Sequence, residues 1–250
     1  MHVLALDTTT RDGSVALVDQ HHIVDERRGD AARSHAERLP DELVALAGAH
    51  GLSVSAIDLF AVASGPGSFT GLRIGIATIQ GLALTAGRRI VAVSALEALA
   101  QAGGGAPGTF VGAWMNAHRQ DVFAALYRIT DAAAFSPERL VEVEAPSVGT
   151  PAATLARWRS QVGNVSVLFI GDGAVLYAGT ISGCALAGWT VLPQTPLLAG
   201  TIGRMAVARA EQGDTIHPAA VQPLYVRRPD AEIAREQTNS PPRRTSGTRS

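Results

Sequence analysis

The sequence predicts an α/β protein of two tandem units, each a mixed sheet covered by helices, with the second unit a degenerate copy of the first. Three observations carry that expectation. The first hundred residues run three strands, helix, strand, helix, strand, helix. A Gly-rich stretch, Gly103–Gly108 (GGGAPG), then breaks the pattern, and beyond it the pattern partly repeats. At 250 residues and 46% hydrophobic, the chain suffices for one large domain or two small ones.

His2–Asp7 (HVLALD) reads as a short buried strand and Thr8–Gly13 as a turn. Ser14–Val18 and Ile23–Arg27 follow as strands of an antiparallel meander. Ser34 to His50 is a helix. Ser34 and Glu37 make an S-x-x-E capping box at its start, and Ala36, Leu39, Leu43, Leu46 and His50 recur at spacings of three and four as one stripe. Pro40 removes a helical hydrogen bond and is expected to bend this helix. His35, in the first turn, is expected to face solvent. Leu59–Ala63 is the next strand, Thr70–Ala86 a helix, Ile90–Val93 a strand and Ser94–Gln101 a helix. That order is the order of an RNase H-like unit.

After the break, Phe110–Trp114, Val122–Tyr127 and Leu140–Val143 read as strands, Pro151–Arg159 as a helix, Val165–Ile170 as a strand and Ala199–Gln212 as a helix. The stretch Ala174–Leu198 shows no clear period. Two RNase H-like units in tandem make the actin-like (ASKHA) fold. The expected division is residues 1–105 and 106–215 for the two domains, 216–236 for a C-terminal segment and 237–250 for a tail. That tail, QTNSPPRRTSGTRS, has no apolar cluster to offset its ordering entropy and is expected to be disordered.

Composition removes several mechanisms. There is no lysine, so a Schiff-base enzyme and a P-loop with its phosphate-binding lysine are excluded in their usual forms. Cys184 is the single cysteine, so no intrachain disulfide forms, which suits a cytoplasmic location. The opening MHVLALD carries neither a basic region nor a long apolar run, so no signal peptide is expected. Ala174 to Gly203 lacks charge, but Gly179, Gly183, Gly188, Pro193 and Pro196 interrupt it, which argues against a membrane span. The tail carries Arg243, Arg244 and Arg249 without an acid. The net charge of −1 thus leaves the body near −4, too acidic for stand-alone RNA binding through phosphates.

The most specific motif is Ser64 to Ala86, SGPGSFTGLRIGIATIQGLALTA. Gly65, Gly67 and Gly71 sit between a strand and a helix, where backbone amides can bind phosphate. Their G-x-G-x-x-x-G spacing matches neither the dinucleotide fingerprint nor a P-loop. A tight turn that needs small residues for close packing is the preferred reading. The helix that follows has no charged residue between Ile74 and Gly87, so it lacks the polar face of a covering helix. Either it is buried twice in its own domain or it meets another chain. Ile74, Ala77, Thr78, Gly81 and Thr85, with the Leu39, Leu43 and Leu46 stripe, form the expected partner interface.

LALDTTT at Leu4–Thr10, AARSHAERL at Ala31–Leu39, the SGPGSFTGLR block, VSALEALA at Val93–Ala100 and PLYVRR at Pro223–Arg228 resemble the bacterial TsaB family. The resemblance covers nearly the whole chain before the tail. It implies an actin-like fold and a non-catalytic subunit that pairs with a TsaD-like catalytic subunit through these two helices and works with a TsaE-like ATPase. It also implies a role in placing threonylcarbamoyl on N6 of adenosine 37 of tRNAs reading ANN codons. Contact with tRNA would run through the complex, ATP or ADP would sit at the complex interface, and a homodimer is the alternative assembly.

The residues fit a non-catalytic role. The catalytic paralogues carry an H-x-x-x-H metal motif. Here His2, His21, His22, His35, His50, His118 and His217 include no pair four apart, so no metal site is expected. Asp7 ends the first strand, where actin-like phosphotransferases keep a carboxylate followed by glycine. Thr8, Thr9 and Thr10 follow it instead, and a carboxylate bonded to its own turn is the preferred reading. Where the family tends to show D-A-R-R-G-E-V, this chain has Asn116-Ala117-His118-Arg119-Gln120-Asp121-Val122, without the carboxylate and without the turn glycine. Gly171-Asp172-Gly173 follows a strand and reads equally as a phosphate contact or a turn. Two competing functions remain. One is an actin-like ATPase or phosphotransferase using Asp7 and the Gly65–Gly71 loop. The other is a metalloprotease, a label the wider family transmits, for which no ligand cluster is present.

Overall fold

The computed structural model describes residues 1–184 and 188–226. Strands β1 (His2–Asp7), β2 (Ser14–Asp19) and β3 (His22–Arg28) form the expected meander. β4 (Leu59–Gly65) and β5 (Arg89–Ser94) join the other side of β1 in parallel, giving the order β3-β2-β1-β4-β5. β6 (Phe110–Asn116), β7 (Val122–Ile129), β8 (Leu140–Gly149), β9 (Val167–Ile170) and β10 (Trp189–Val191) repeat it strand for strand. Their order is β8-β7-β6-β9-β10, with the same directions. The protein is therefore α/β and actin-like, two RNase H-like sheets in tandem. Degeneracy lies in the helices of the second unit, not in its sheet. Where the first unit places α2 (Phe69–Ala86) between its parallel strands, the second has only α5 (Asp172–Leu176) and α6 (Ala178–Gly183).

Side-chain alternation sets the layers. Along β1, Leu4 and Leu6 point outward to α1 (His35–Ala49) and α2, while Val3 and Ala5 point inward toward the second sheet. A strand buried on both faces must be apolar throughout, which is why HVLALD shows no polar alternation. Leu39, Leu43 and Leu46 of α1 are buried with Leu72, Ile76 and Ile79 of α2 against the outer face of this sheet. α1 runs unbroken through Pro40, which lies on its exposed side. Behind the second sheet, Trp114, Trp158 of α4 (Pro151–Val162), Phe169 and Trp189 form an aromatic cluster with ring centroids 5.3–5.8 Å apart, Trp114 edge-on to its neighbours and Trp158 stacked on Phe169.

The inner layer holds two helices, α3 (Ala95–Gly103) and α7 (Ala199–Glu211). α7 follows the second sheet in the chain and was expected within residues 106–215, yet it packs on the first sheet, against β1, β2 and β4. The first sheet also caps it: the Ser14 hydroxyl and the Glu26 carboxylate accept from the amides of Ala199 and Gly200, at 3.1 and 2.7 Å. Near its other end, Arg209 donates two bonds of 2.7 Å to Glu97 of α3 and one of 2.9 Å to the Ala92 carbonyl. Replacing Arg209 by Met is expected to lower stability by about 2 kcal/mol, because the half-buried Glu97 loses its charge partner. A denaturant midpoint equal to the parent's would show that this pair contributes nothing.

The uncharged stretch at 174–203 folds as α5, α6, β10 and the start of α7, with 185–187 not described. Among the described residues, α2 is the helix long and apolar enough to cross a membrane, and its Ile76 and Ile79 pack on the first sheet. The tail at 237–250 and residues 227–236 of the C-terminal segment lie outside the described residues.

Candidate functional site

A cavity of about 1210 Å³ lies between the two units. Its walls are the Thr9–Arg11 loop, the first turns of α1 and α2, the β6–β7 turn, Asp172 and the Leu224–Val226 segment. This is where a phosphate-binding reading of Asp7, Gly65, Gly67 and Gly71 would place a ligand, and of these Gly67 and Gly71 line the cavity. The buried Asp7 carboxylate accepts from the Thr9 amide at 2.9 Å and the Thr9 hydroxyl at 2.7 Å, so it is bound to its own turn. Burial pushes its pKa up, and the Thr9 bonds oppose that only in part.

The glycines serve close packing. A Cβ on Gly67 would lie 2.6 Å from the Thr9 Cβ, and one on Gly71 would overlap the Thr8 carbonyl oxygen. One on Gly65 would lie 2.8 Å from the Leu224 carbonyl oxygen, where the C-terminal segment crosses and the Leu224 amide bonds Ser64. Two amides at the start of α2 are paired within the chain: Ser68 N–H donates to the Thr9 carbonyl at 2.9 Å, and Gly71 N–H to the Ser68 hydroxyl at 3.2 Å. Thr8 and Thr9 of the chain's own loop sit directly against Gly71 and Gly67.

On the opposite wall, Asp172 takes up the backbone. Its carboxylate accepts from the Asn116 and Gly173 amides at 3.1 and 2.9 Å, while burial raises its pKa. The missing turn glycine has a structural consequence. His118, Arg119 and Gln120 all adopt left-handed φ values, between 52° and 66°. Each such residue costs about 1 kcal/mol or more, so this turn is strained where it lines the cavity. Among the described residues, no three His, Cys, Asp or Glu side chains gather as a metal site.

The expected partner interface divides. Leu39, Leu43 and Leu46 are core residues under the helix layer and cannot touch a partner, because the sheet takes the α1 stripe. Ala77, Gly81 and Thr85 are exposed, and Ile74 and Thr78 are half-buried beside them. The hydroxyls of Thr78 and Thr85 donate to Ile74 and Gly81 carbonyls of their own helix, at 2.8 and 2.9 Å. The outward stripe therefore presents methyls and bare backbone rather than polar groups. Leu84 on α2 and Val44 on the adjacent α1 are half-exposed, at 53% and 51%.

Three features escaped the sequence reading. His35 is buried rather than solvent-facing, as is Arg38. The signal was present, since positions 35, 38 and 42 flank the apolar stripe of 39, 43 and 46 at helical spacing. The third is an aromatic clasp: Tyr225 packs on Phe69 at 5.0 Å and accepts from Arg73 Nε at 3.0 Å. It joins residues far apart in the chain, and no local pattern marks it.

Residues 24–182 match the sequence model of the family described as TsaD, tRNA N6-adenosine threonylcarbamoyltransferase. The chain is 36% identical over 126 residues to the tRNA threonylcarbamoyladenosine biosynthesis protein TsaB of Escherichia coli, and 39% identical over 103 residues to that of Haemophilus influenzae. These matches span 50% and 42% of those relatives, so the chain aligns with about half of their length. An uncharacterized protein of Mycobacterium tuberculosis is 33% identical over 233 residues, covering 92% of this chain and 93% of that one. A solved structure of YeaZ from Pseudomonas aeruginosa superposes with a TM-score of 0.73 at 26% identity, over 90% of this chain and 99% of that one.

Proposed function

The chain belongs to the TsaB/YeaZ family, within the group described by the TsaD family model, and from that premise we propose that it serves tRNA threonylcarbamoyladenosine biosynthesis as a non-catalytic partner subunit. In this reading it docks a TsaD-type catalytic subunit through the outer faces of α1 and α2. A TsaE-type ATPase completes the complex, and tRNA is engaged by the assembly. The chain supplies a surface rather than a reacting group.

The observation that carries the reading is the exposed stripe of Ala77, Gly81 and Thr85 on α2, with both flanking hydroxyls turned back on their own helix. Small residues let two helices approach within about 8 Å between axes. An uncharged face of this kind is costly to leave in water and gains by covering. Asp7, bonded to the Thr9 amide and hydroxyl of its own turn, supports the same reading.

Purified alone with tRNA and threonylcarbamoyl-AMP, the protein is expected to yield no threonylcarbamoyladenosine in nuclease-digested tRNA read by mass spectrometry. Adding the TsaD-type and TsaE-type proteins of the same organism, with ATP, is expected to restore product. Robust product from this chain alone would overturn the proposal, as would full activity of the other two proteins without it.

A further inference from the structure

His35 and Arg38 are buried where α1 meets the turn between β1 and β2. His35 Nε2 lies 3.0 Å from the Thr10 carbonyl oxygen, which only accepts, so Nε2 carries the proton. Nδ1 lies 2.9 Å from an Arg38 guanidinium nitrogen, which only donates, so Nδ1 is the bare nitrogen. The two partners leave one permitted form, the neutral Nε2–H tautomer. Arg38 is held in turn by the Asp12 carbonyl and by Glu42, and it fills the space beside Gly29, where a Cβ would overlap it.

We propose that His35 is a pH-sensitive clip: neutral, it ties α1 to the cavity-lining turn, and protonation opens that tie and weakens the α1–α2 docking surface. The proposal rests on the reading of α1 and α2 as the partner surface. Protonated, Nδ1 becomes a donor facing a donor and a cation facing a cation, so either the His35–Arg38 contact or the His35–Thr10 contact must break. The charges facing the ring are Arg38 and Glu42 from α1 and Asp12 from the turn, the last paired with Arg28 of β3. Asp7, at the end of β1, is engaged with Thr9. Burial lowers the imidazole pKa, with Arg38 acting in the same direction, while the Thr10 bond, Glu42 and Asp12 oppose it.

The sign follows from linkage. With the folded pKa below the ordinary value near 6.5, the group adds no pH dependence above that value. As pH falls below it the unfolded chain takes the proton first, so folded stability declines until the folded pKa is passed, and is flat beyond.

The test uses the full chain, with the TsaD-type subunit for association. The His35 imidazole is titrated by NMR in the isolated protein, and melting and association are followed from about pH 7.5 to pH 5.5, for the parent and for His35→Gln. Gln keeps one donor and one acceptor but takes no proton. The parent is expected to titrate below the ordinary imidazole value and to lose affinity by up to about tenfold per pH unit, the limit for one proton. His35→Gln is expected to hold a flatter profile. An imidazole that titrates at or above its ordinary value overturns the clip, as does a variant that keeps the parent's pH slope. If association is absent at every pH, the partner reading fails, and the titration and melting curves still decide the clip.

Discussion

Gly81→Arg is expected to weaken association with a TsaD-type subunit at least about a hundredfold while leaving the protein's own melting temperature unchanged or slightly raised. The position is exposed on α2, and a Cβ built there meets no atom within 4 Å, so the arginine displaces nothing inside the monomer. Replacing a mid-helix glycine gains helix propensity of about 0.5–1 kcal/mol. In a complex the same side chain would stand between two close-packed helices, and its unpaired guanidinium would need to be desolvated or the helices parted. Either costs about 3 kcal/mol or more. Gel filtration with the partner and a thermal melt of the variant alone decide the matter together. Undiminished co-elution would move the docking surface elsewhere, and an unfolded variant would mean that this face is internal.

Gly71→Ala, on the same helix, is expected to act in the opposite direction and to lower stability by roughly 3 kcal/mol, a fall in Tm near 10 °C for a chain of this size. A methyl there would overlap the Thr8 carbonyl oxygen, and that oxygen belongs to a backbone which Asp7 and the Thr9–Ser68 bond hold in place. Gly81→Ala supplies the control, since the same chemical change in open space should stabilise by about 0.5–1 kcal/mol. A melt of Gly71→Ala at or above the parent would mean that the Thr8–Thr10 loop swings away readily. The glycine-rich turn would then be free to receive a ligand, and the phosphate reading would return.

Local patterns gave the elements but not their partners. The Ser34–Glu37 box and the Leu39, Leu43, Leu46 stripe marked α1, and Glu37 does accept from the Ser34 amide at 2.8 Å. The stripe's expected occupant is a second protein, whereas the structure seats it on the chain's own sheet. Apolar periodicity reports that a face is covered and is silent on what covers it. His35 departs from its expected solvent-facing position for a related cause. Polarity and a first-turn position suggested solvent, whereas its helical angle placed it beside the stripe, where Thr10 and Arg38 satisfy both ring nitrogens.

Legible in the sequence alone were the strand and helix order of the first unit, strands β6 to β9 of the second, and the family, because each rests on residues close in the chain; α5, α6 and β10 were not. Tertiary structure alone decided three other matters. It brought α7 back onto the first sheet, capped there by Ser14 and Glu26. It turned Leu72, Ile76 and Ile79 of α2 inward and left Ala77, Gly81 and Thr85 exposed. It also seated the Thr8–Thr9 loop against Asp7 and Gly71. Each depends on contacts between residues far apart in sequence, where shape and hydrogen-bond satisfaction select one partner among several that the local pattern permits equally.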